Sequence, residues 1–406
     1  MKKSLLLLLL PLFASLPLSA QTFDWNVDFT YFLHNSEFDR SHNFSDVSQT
    51  VNAARLTPTV GLEYRLDRTT HRLMAGVDLV RDMGSHESVL KVFREPVLFY
   101  EAELKARNGV FSAIAGMFPR KFAEGDYRQL YFDRNNLFRD NNFEGFFVKW
   151  TADAFRAELG LDWTSTYGDD AHPMQREIFQ ALTSGRWDFH RTFSLGWTGR
   201  FHHFAFAPLC LNIVDDIMVS PYLRWTPRTA LDLLQFDFSY VFAFQCDRSK
   251  AYTDGPYLPQ GIALRQKGSL HGFGIENFLY AGEDIQPFRD TYGGGLYYGD
   301  MMLHVPTPST GGFPFSWADE LAVFYSPKLT SWLHLDIAVA FQFGQPFQYL
   351  SPLTSETFDI PVYRGCRQVI CLRADFGKSR MKVLQDNAKK RRMASPFDIF
   401  DHLYEL

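Results

Sequence analysis

Residues 234–245 have the sequence LQFDFSYVFAFQ, and this stretch decides the fold. Large apolar side chains occupy the even positions from Leu234 to Phe244, while Asp237, Ser239 and Gln245 lie at odd ones. Successive side chains of a β-strand point to opposite faces, so the pattern predicts a strand with one apolar and one more polar face. The stretch is longer than the usual strand of about five or six residues and is long enough to cross a bilayer at a tilt, which takes roughly 9–11 residues.

The same alternation recurs along the chain. It is found at 23–31, 58–64, 155–163, 193–197 and 333–343. A soluble β-sandwich would also alternate and is the alternative to consider. Membrane barrels differ from it by girdles of Trp and Tyr at both interfaces. The apolar faces here carry such residues at Trp25, Tyr31, Tyr64, Trp163, Trp197 and Trp225. We therefore predict an all-β fold, a single transmembrane antiparallel β-barrel.

Connections between the predicted strands alternate between short and long. Short ones are expected at 67–70, 107–109, 151–153, 186–191, 226–229 and 326–331, and long ones at 35–51, 83–88, 119–141, 165–175, 203–214, 247–315 and 344–366. Outer-membrane barrels have short periplasmic turns and long outer loops in this order. The pairing predicts about 14 strands, between about 12 and 16, over residues 21–377. Within the loop 247–315, Leu270 to Tyr280 could form a further strand or a hairpin.

Both ends of the chain are expected to lie outside the barrel. Residues 1–20 carry Lys2 and Lys3, then a leucine-rich run that ends at Ala20. This is the pattern of a secretory signal peptide, with a retained anchor as the alternative. Residues 378–406 begin with a basic run and are predicted to form a periplasmic tail. That tail could be a disordered stub, or a segment that binds a partner or plugs the barrel.

Composition excludes several classes of protein. The net charge is −5, from 41 basic and 46 acidic residues, so no broad basic field recommends nucleic acid as a partner. Aromatic residues make up 16% of the chain while mean hydropathy is only −0.19, as alternating lipid-facing and water-facing residues would produce. Four cysteines are too few for a disulfide framework, although Cys210 and Cys246 could form a bridge. Cys366 and Cys371 should lie on opposite faces of one strand. We expect no cofactor and no metal site.

The strand pattern and its girdle resemble outer-membrane β-barrels of the porin-like type over the whole of 21–377. Three short runs are similar to uncharacterised outer-membrane proteins of Bacteroidota-type bacteria: Gly116-Met117-Phe118-Pro119-Arg120, Gly125-Asp126-Tyr127 and Asn142-Phe143-Glu144-Gly145. The resemblance implies an integral protein of a Gram-negative outer membrane. Its expected partners are outer-membrane lipid, lipopolysaccharide and the barrel assembly machinery. The resemblance implies no assigned chemistry.

Charged residues of the predicted strands should face the lumen, because a lipid-facing charge near the bilayer centre costs about 2–4 kcal/mol. The predicted lumen-facing residues are Glu63, Arg65, Asp78, Glu101, Glu103, Lys105, Arg156, Glu158, Asp162, Arg224, Asp237, Asp336, Arg373 and Asp375. Such groups either line water or pair with one another in a closed interior. A barrel of this size has more interior than its wall side chains fill. We therefore expect a porin-like channel for passive or weakly selective uptake of small polar solutes.

Two loops are candidates for constriction or binding. The loop 119–141 combines aromatic rings with planar polar groups, which suits sugars or other small polar ligands and equally suits an ordered, packed loop. Its candidate binding residues are Arg120, Asp126, Tyr127, Tyr131, Asp133 and Arg134. Inward folding of this loop would favour a selective channel over a surface ligand-binding barrel or adhesin. The glycine- and tyrosine-rich loop 247–315 could be a lid, a constriction or a mobile surface loop.

A hydrolase is the third class of function to consider. Asp170 and His172 have the Asp-x-His spacing of outer-membrane aspartyl-type proteases. Asp215 and Asp216 could supply further carboxylates if the fold brings them across the barrel. The Ser and His arrangement of a barrel lipase is not recognisable. No set of residues supports a catalytic assignment, and we expect that the protein is not an enzyme.

Overall fold

The computed structural model describes residues 21–38, 48–84, 93–127, 130–132, 138, 140–164, 176–206, 212–248, 255–289, 297, 299–304, 316–327, 329–350 and 357–377. The predicted signal peptide 1–20 and the predicted tail 378–406 lie outside these residues. No helix within the described ranges is long and apolar enough to cross a membrane.

The described residues form a closed antiparallel barrel of sixteen strands. In chain order the strands are β1 (Gln21–Phe38), β2 (Gln49–Leu66), β3 (Thr69–Asp82), β4 (Phe93–Ala106), β5 (Gly109–Pro119), β6 (Asn142–Thr151), β7 (Phe155–Trp163), β8 (Arg176–His190), β9 (Phe193–Phe206), β10 (Asn212–Trp225), β11 (Leu233–Asp247), β12 (Gln260–Leu270), β13 (Phe273–Gly282), β14 (Ser316–Tyr325), β15 (Leu333–Gly344), β16 (Phe347–Leu350), β17 (Thr357–Ile360) and β18 (Tyr363–Gly377). Strands β16 and β17 form a separate hairpin between β15 and β18. The barrel closes because β18 pairs with both β15 and β1.

The predicted barrel fold is confirmed, with sixteen strands where the pattern gave about 14. The additional pair is β12 and β13, which the turn 271–272 joins. Both strands lie inside the stretch predicted as the long loop 247–315, so the predicted extent of that loop is wrong. The hairpin considered near Leu270 to Tyr280 is part of the barrel wall, and the connection to β14 covers 283–315.

The sequence analysis did not assign these two strands because apolar and polar residues alternate only weakly along them. The outward face of β12 carries Ile262 and Leu264, but Gln266 follows them on the same face. On β13 the inward positions include Phe278 and Tyr280, both of them buried. A polar residue on the apolar face and aromatic residues on the polar face hide the period of two.

Strand β11 shows the arrangement that the rest of the wall repeats. Its outward residues Phe238 and Phe242 are 51% and 41% exposed, whereas the inward Asp237 and Gln245 are 4% and 0% exposed. An isolated barrel leaves its lipid-facing residues uncovered, so these phenylalanines are the ones that contact hydrocarbon. The polar residues of the same strand therefore face the lumen.

Aromatic residues mark the turn end of the barrel. Phe193, Trp225 and Phe236 come from three neighbouring strands and stack in series, with ring centroids 6.3 and 5.3 Å apart. Two strands further round the ring from β11, Phe273 of β13 stacks on Tyr325 of β14 at 4.2 Å. Aromatic girdles of this kind sit at the membrane interface. They place the short turns at the membrane surface next to the girdle.

Two of the short turns use residues in the left-handed region. In the turn 271–272, His271 has a φ of 52° and Gly272 a φ of 84°. Positive φ at both central residues defines the type I′ turn, whose twist matches that of the flanking strands. Asp67 takes a φ of 47° in the equivalent turn between β2 and β3. These turns fix the register of the strands that they join.

The described cysteines are free thiols. Cys366 and Cys371 lie on opposite faces of β18, and Cys371 is buried on the inner face. Cys246 is also free, while Cys210, its suggested partner, lies outside the described residues.

Replacing Phe242 by Arg should lower the free energy of unfolding by about 2–4 kcal/mol, because the new charge faces hydrocarbon six residues along β11 from Phe236 of the turn-end girdle. The matched control is Phe189→Arg, since Phe189 is also exposed but lies at the turn end of β8. There the cost should fall to about 0–1 kcal/mol. Urea unfolding in lipid vesicles measures both values. Equal costs at the two positions would contradict the assigned membrane position.

Candidate functional site in the barrel lumen

The loop between β5 and β6, residues 120–141, enters the lumen, and we call it the inner loop. Of its residues the structure describes 120–127, 130–132, 138, 140 and 141. A 3₁₀ turn, Arg120–Phe122, starts the loop directly after β5. The backbone N–H of Arg120 donates to the carbonyl of Asn141 at 2.7 Å, which closes the base of the loop against the wall.

Arg120 anchors the base of the inner loop. Its guanidinium donates to Asp162 and to the carboxylate of Asp140, both at 2.7 Å. The same group lies 4.9 Å above the ring of Phe143 and 5.5 Å above that of Phe132. A buried charge is tolerated only when it is paired and hydrogen-bonded, and Arg120 meets both conditions.

A second anchor joins the backbone of the inner loop to β7. The N–H groups of Glu124 and Gly125 donate to the two carboxylate oxygens of Glu158, at 3.0 and 2.6 Å. Position 125 needs glycine because of this close approach. A Cβ atom there would lie 2.4 Å from the Glu158 carboxylate and 2.4 Å from Cβ of Ser184.

Asp126 links the inner loop to the opposite wall of the barrel. Its carboxylate accepts hydrogen bonds from Arg224 on β10 at 3.0 Å and from Arg265 on β12 at 2.9 Å. Each arginine also has an acidic partner on the neighbouring strand. Arg224 pairs with Asp237 at 2.7 Å, and Arg265 pairs with Glu276 at 2.6 Å. The loop carboxylate thus bridges two ion pairs of the wall.

The aromatic residues of the inner loop are buried inside the barrel. The hydroxyl of Tyr131 donates to the carbonyl of Thr198 at 3.1 Å, and Arg200 donates to the Tyr131 carbonyl at 3.1 Å. Phe138 stacks on Phe32 of β1 with ring centroids 4.5 Å apart. Contacts therefore run from β1 to β10 and β12, which lie on opposite sides of the ring of strands. The inner loop crosses the lumen.

A small cavity remains between the inner loop and the wall from β9 to β13. Its volume is about 40 Å³, enough for about three water molecules. It is lined by Asp126, Leu130, Thr198, Ser220, Tyr222, Asp237, Ser239, Ala263, Arg265 and Phe278. Most of the lining side chains are polar, and the ion pairs of Asp126 form one edge. This space is too small for a sugar or an amino acid.

A second loop, 283–315, also has described residues inside the barrel. The carboxylate of Asp300 pairs with Arg367 of β18 at 2.6 Å. Gln245 of β11 donates its side-chain N–H to the carbonyl of Ile285 at 2.7 Å. His304 and Asp284 lie 2.9 Å apart, and both are buried. The described part of this loop therefore packs against the interior of the barrel.

The residues predicted to face the lumen lie on the inner face of their strands, but they divide into separate groups. Glu158, Asp162, Arg224 and Asp237 meet the inner loop or its wall partners. A second group pairs within the wall or lies towards the turn end; it comprises Glu63, Arg65, Asp78, Glu101, Glu103, Lys105, Arg156, Asp336, Arg373 and Asp375.

The predicted binding residues of the inner loop show a similar division. Arg120, Asp126, Tyr127 and Tyr131 are placed inside the barrel. Asp133 and Arg134 lie outside the described residues.

Several charged residues of the lumen were missed by the sequence analysis. Arg265 and Glu276 were missed because β12 and β13 were not assigned as strands. Arg200 and Asp216, which pair at 2.6 Å, lie next to the predicted loop 203–214 but outside it, and neither was included among the predicted lumen-facing residues. Strict counting of odd and even positions from Trp197 and Trp225 would have placed both on the inner face.

The carboxylates considered for a hydrolase do not converge. Asp216 faces the lumen and pairs with Arg200, whereas Asp215 faces outwards and accepts from His203 at 2.7 Å. Successive residues of a strand point to opposite faces, so these two cannot activate one water molecule. Asp170 and His172 lie outside the described residues.

No family model matches this chain, and no curated protein matches its sequence. Among solved structures it is similar to OprD of Pseudomonas aeruginosa, with a TM-score of 0.50 at 8% identity over 87% of this chain and 95% of that one. OmpT, an outer membrane protein of Vibrio cholerae, gives 0.48 at 11% identity over 89% and 99% of the two chains. OccAB1 of Acinetobacter baumannii gives 0.48 at 9% identity over 87% and 96%. At these identities the likeness concerns the fold alone, and the narrower resemblance to Bacteroidota-type proteins stays a prediction.

Substituting Gly125 by Ala should detach the inner loop from β7, because the added Cβ would overlap the Glu158 carboxylate and Ser184. We expect faster tryptic cleavage within the loop in detergent-folded protein. Gly268→Ala is the control, since the nearest atom to a Cβ there is Leu234 Cδ1 at 3.8 Å. Cleavage of Gly125→Ala at the rate of the unmodified chain would show that the contact with Glu158 does not hold the loop.

Proposed function

We propose that this protein is an outer-membrane channel for small polar solutes whose passage is controlled by the inner loop. The main support for this proposal is that the loop is hydrogen-bonded to opposite walls of the barrel and leaves a polar cavity of about 40 Å³ beside Asp126. A sixteen-stranded barrel is wide enough for an aqueous channel, so a loop folded inside it determines what can pass. Transport through such a channel is passive, because the barrel itself supplies no energy source.

The direction in which the inner loop folds favours a channel over an adhesin. Tyr131, Phe132 and Phe138 are the aromatic residues best suited to bind a surface ligand, and all three are buried. Contacts with the wall already use the Tyr131 hydroxyl and the Phe138 ring. A macromolecule outside the cell could not reach these side chains without extracting the loop from the barrel.

The pairing of charges supports a polar and only weakly selective path. The wall beside the cavity presents Arg224 and Arg265, but Asp126, Asp237 and Glu276 offset their charge. Hydroxyl groups of Ser220, Ser239 and Thr198 complete much of the lining. A solute that makes hydrogen bonds can replace the water in this space, and no unpaired charge of one sign excludes it.

In this proposal, the lengths of the loops and turns set the orientation of the barrel in the outer membrane. The short turns face the periplasm, and the loops after β5 and β13 enter from the outer side, as in other outer-membrane barrels. The signal peptide 1–20 delivers the chain for insertion by the barrel assembly machinery. In place, the band of outward apolar residues contacts lipid and the outer rim contacts lipopolysaccharide.

The Asp126→Asn variant tests the channel directly. Loss of the carboxylate charge weakens the bond between the inner loop and the two arginines, so uptake of a five-carbon sugar into liposomes should become several-fold faster. Glu103→Gln is the control, because Glu103 lies on the inner face towards the turn end and away from the loop. Its uptake rate should equal that of the unmodified chain. If all three proteins swell liposomes no faster than protein-free vesicles, the channel proposal is wrong.

A further inference from the structure

The second loop, 283–315, also crosses the lumen, farther from the turn end than the inner loop. Its Tyr297 is buried in an apolar cluster with inward residues of three neighbouring strands: Ile178 of β8, Phe204 of β9 and Val214 of β10. Its Asp300 pairs with Arg367 of β18, on the opposite side of the ring of strands. On β9 the inner loop bonds at Thr198, which is nearer the turn end than Phe204. The described parts of the two loops are therefore stacked along the barrel axis.

Three wall residues join the two loops, and we call them the buried bridge: Arg200 of β9, Asp216 of β10 and Gln245 of β11. Arg200 donates to the backbone carbonyl of Tyr131 in the inner loop at 3.1 Å and to Asp216 at 2.6 Å. Gln245 donates to the other oxygen of Asp216 at 2.9 Å and to the carbonyl of Ile285 in the second loop at 2.7 Å. A chain of hydrogen bonds thus connects the backbone of one loop to that of the other.

The buried bridge is enclosed by both loops. The side chains of Arg200 and Asp216 are 0% exposed, and so is Gln245. The guanidinium of Arg200 lies 5.8 Å from the ring centre of Tyr131, and Tyr297 of the second loop is within electrostatic range of the same ion pair. A buried polar network holds one geometry only while its donors and acceptors are satisfied. Departure of either loop removes one acceptor from the bridge and admits water to it.

We propose that the buried bridge couples the two loops, so that release of one loosens the other. Asp216 is a positioning residue, because it bonds to no described residue of either loop and orients the two side chains that do. When the Tyr131 carbonyl leaves, Arg200 is free to turn towards water, and the carboxylate that orients Gln245 is no longer held. Coupling between two sites is reciprocal, so release of the second loop loosens the inner loop by the same factor. The inference rests on the proposed function for its consequence, which is that the two loops of the channel open together.

Direct packing between the loops is the alternative means of coupling. Ile285 of the second loop and Tyr131 of the inner loop belong to the same buried apolar cluster. A variant that loosens the second loop without touching the bridge separates the two explanations. Gln342 of β15 offers it, because its side chain is also fully buried and donates to Asp300 and to the sulfur of Met302, both at 3.4 Å.

Thiol labelling measures the coupling on the full chain, folded in liposomes, with its native cysteines replaced by Ser. The probe is Leu130→Cys in the inner loop, at a position that is 7% exposed, and the reagent is a charged, water-soluble methanethiosulfonate. Gln245→Met removes a bridge amide that bonds to no described residue of the inner loop, yet it should accelerate labelling about fivefold or more. Gln342→Met should leave the rate unchanged. Equal rates in all three proteins, or equal acceleration by both substitutions, would overturn the proposal.

The reciprocal experiment decides the question if Gln245→Met fails to fold, as judged by heat-modifiable migration. Its probe is Ile285→Cys, which keeps the backbone carbonyl that the bridge binds. Gly125→Ala should accelerate labelling at positions 130 and 285 by the same factor, and Gly268→Ala should accelerate neither. Acceleration at position 130 alone would refute the coupling. Labelling does not measure transport, so coupled loops in a barrel that admits no sugar would refute the channel alone, and uncoupled loops in a working channel would refute the coupling alone.

Discussion

Pairing between the first and last strands of the barrel, β1 and β18, is the constraint on which the remaining structure depends. In hydrocarbon every backbone N–H and C=O must be bonded within the protein, and a sheet achieves this only by closing on itself. Closure then fixes the two faces of every strand, one towards lipid and one towards the lumen. The apolar band, the aromatic girdles and the enclosed charges all follow from that division.

Enclosure also determines how the lumen is organised. Buried arginines on the inner face are withdrawn from bulk water, so their charge needs an acidic partner nearby. Arg224 and Arg265 meet this need partly through the wall and partly through Asp126, which belongs to the inner loop. The two arginines thus hold the loop in place, and without the Asp126 carboxylate their positive charge would be only partly neutralised by the wall. The same ion pairs that stabilise the interior therefore also hold the loop that narrows the lumen.

The sequence predicted the architecture because alternation reports directly on which face meets lipid. It failed where the faces are mixed, as at Gln266 on the outside and Phe278 on the inside, and the pair β12 and β13 was assigned to a loop. Arg120 and Asp126 were recognised as candidates from composition alone. Asp162 and Arg224 were predicted to face the lumen, but their pairing with this loop could not be predicted. They and Arg265 lie far from it in sequence and meet it only after the barrel closes.

The central claim is that the inner loop, and not the wall, sets the size of the passage. Single-channel conductance in a planar bilayer tests it, with residues 128–139 replaced by a short Gly-Ser linker that leaves all sixteen strands unchanged. We predict stable steps of clearly larger conductance than those of the full chain. Identical conductance for the two proteins, or an absence of steps in both, would contradict the account.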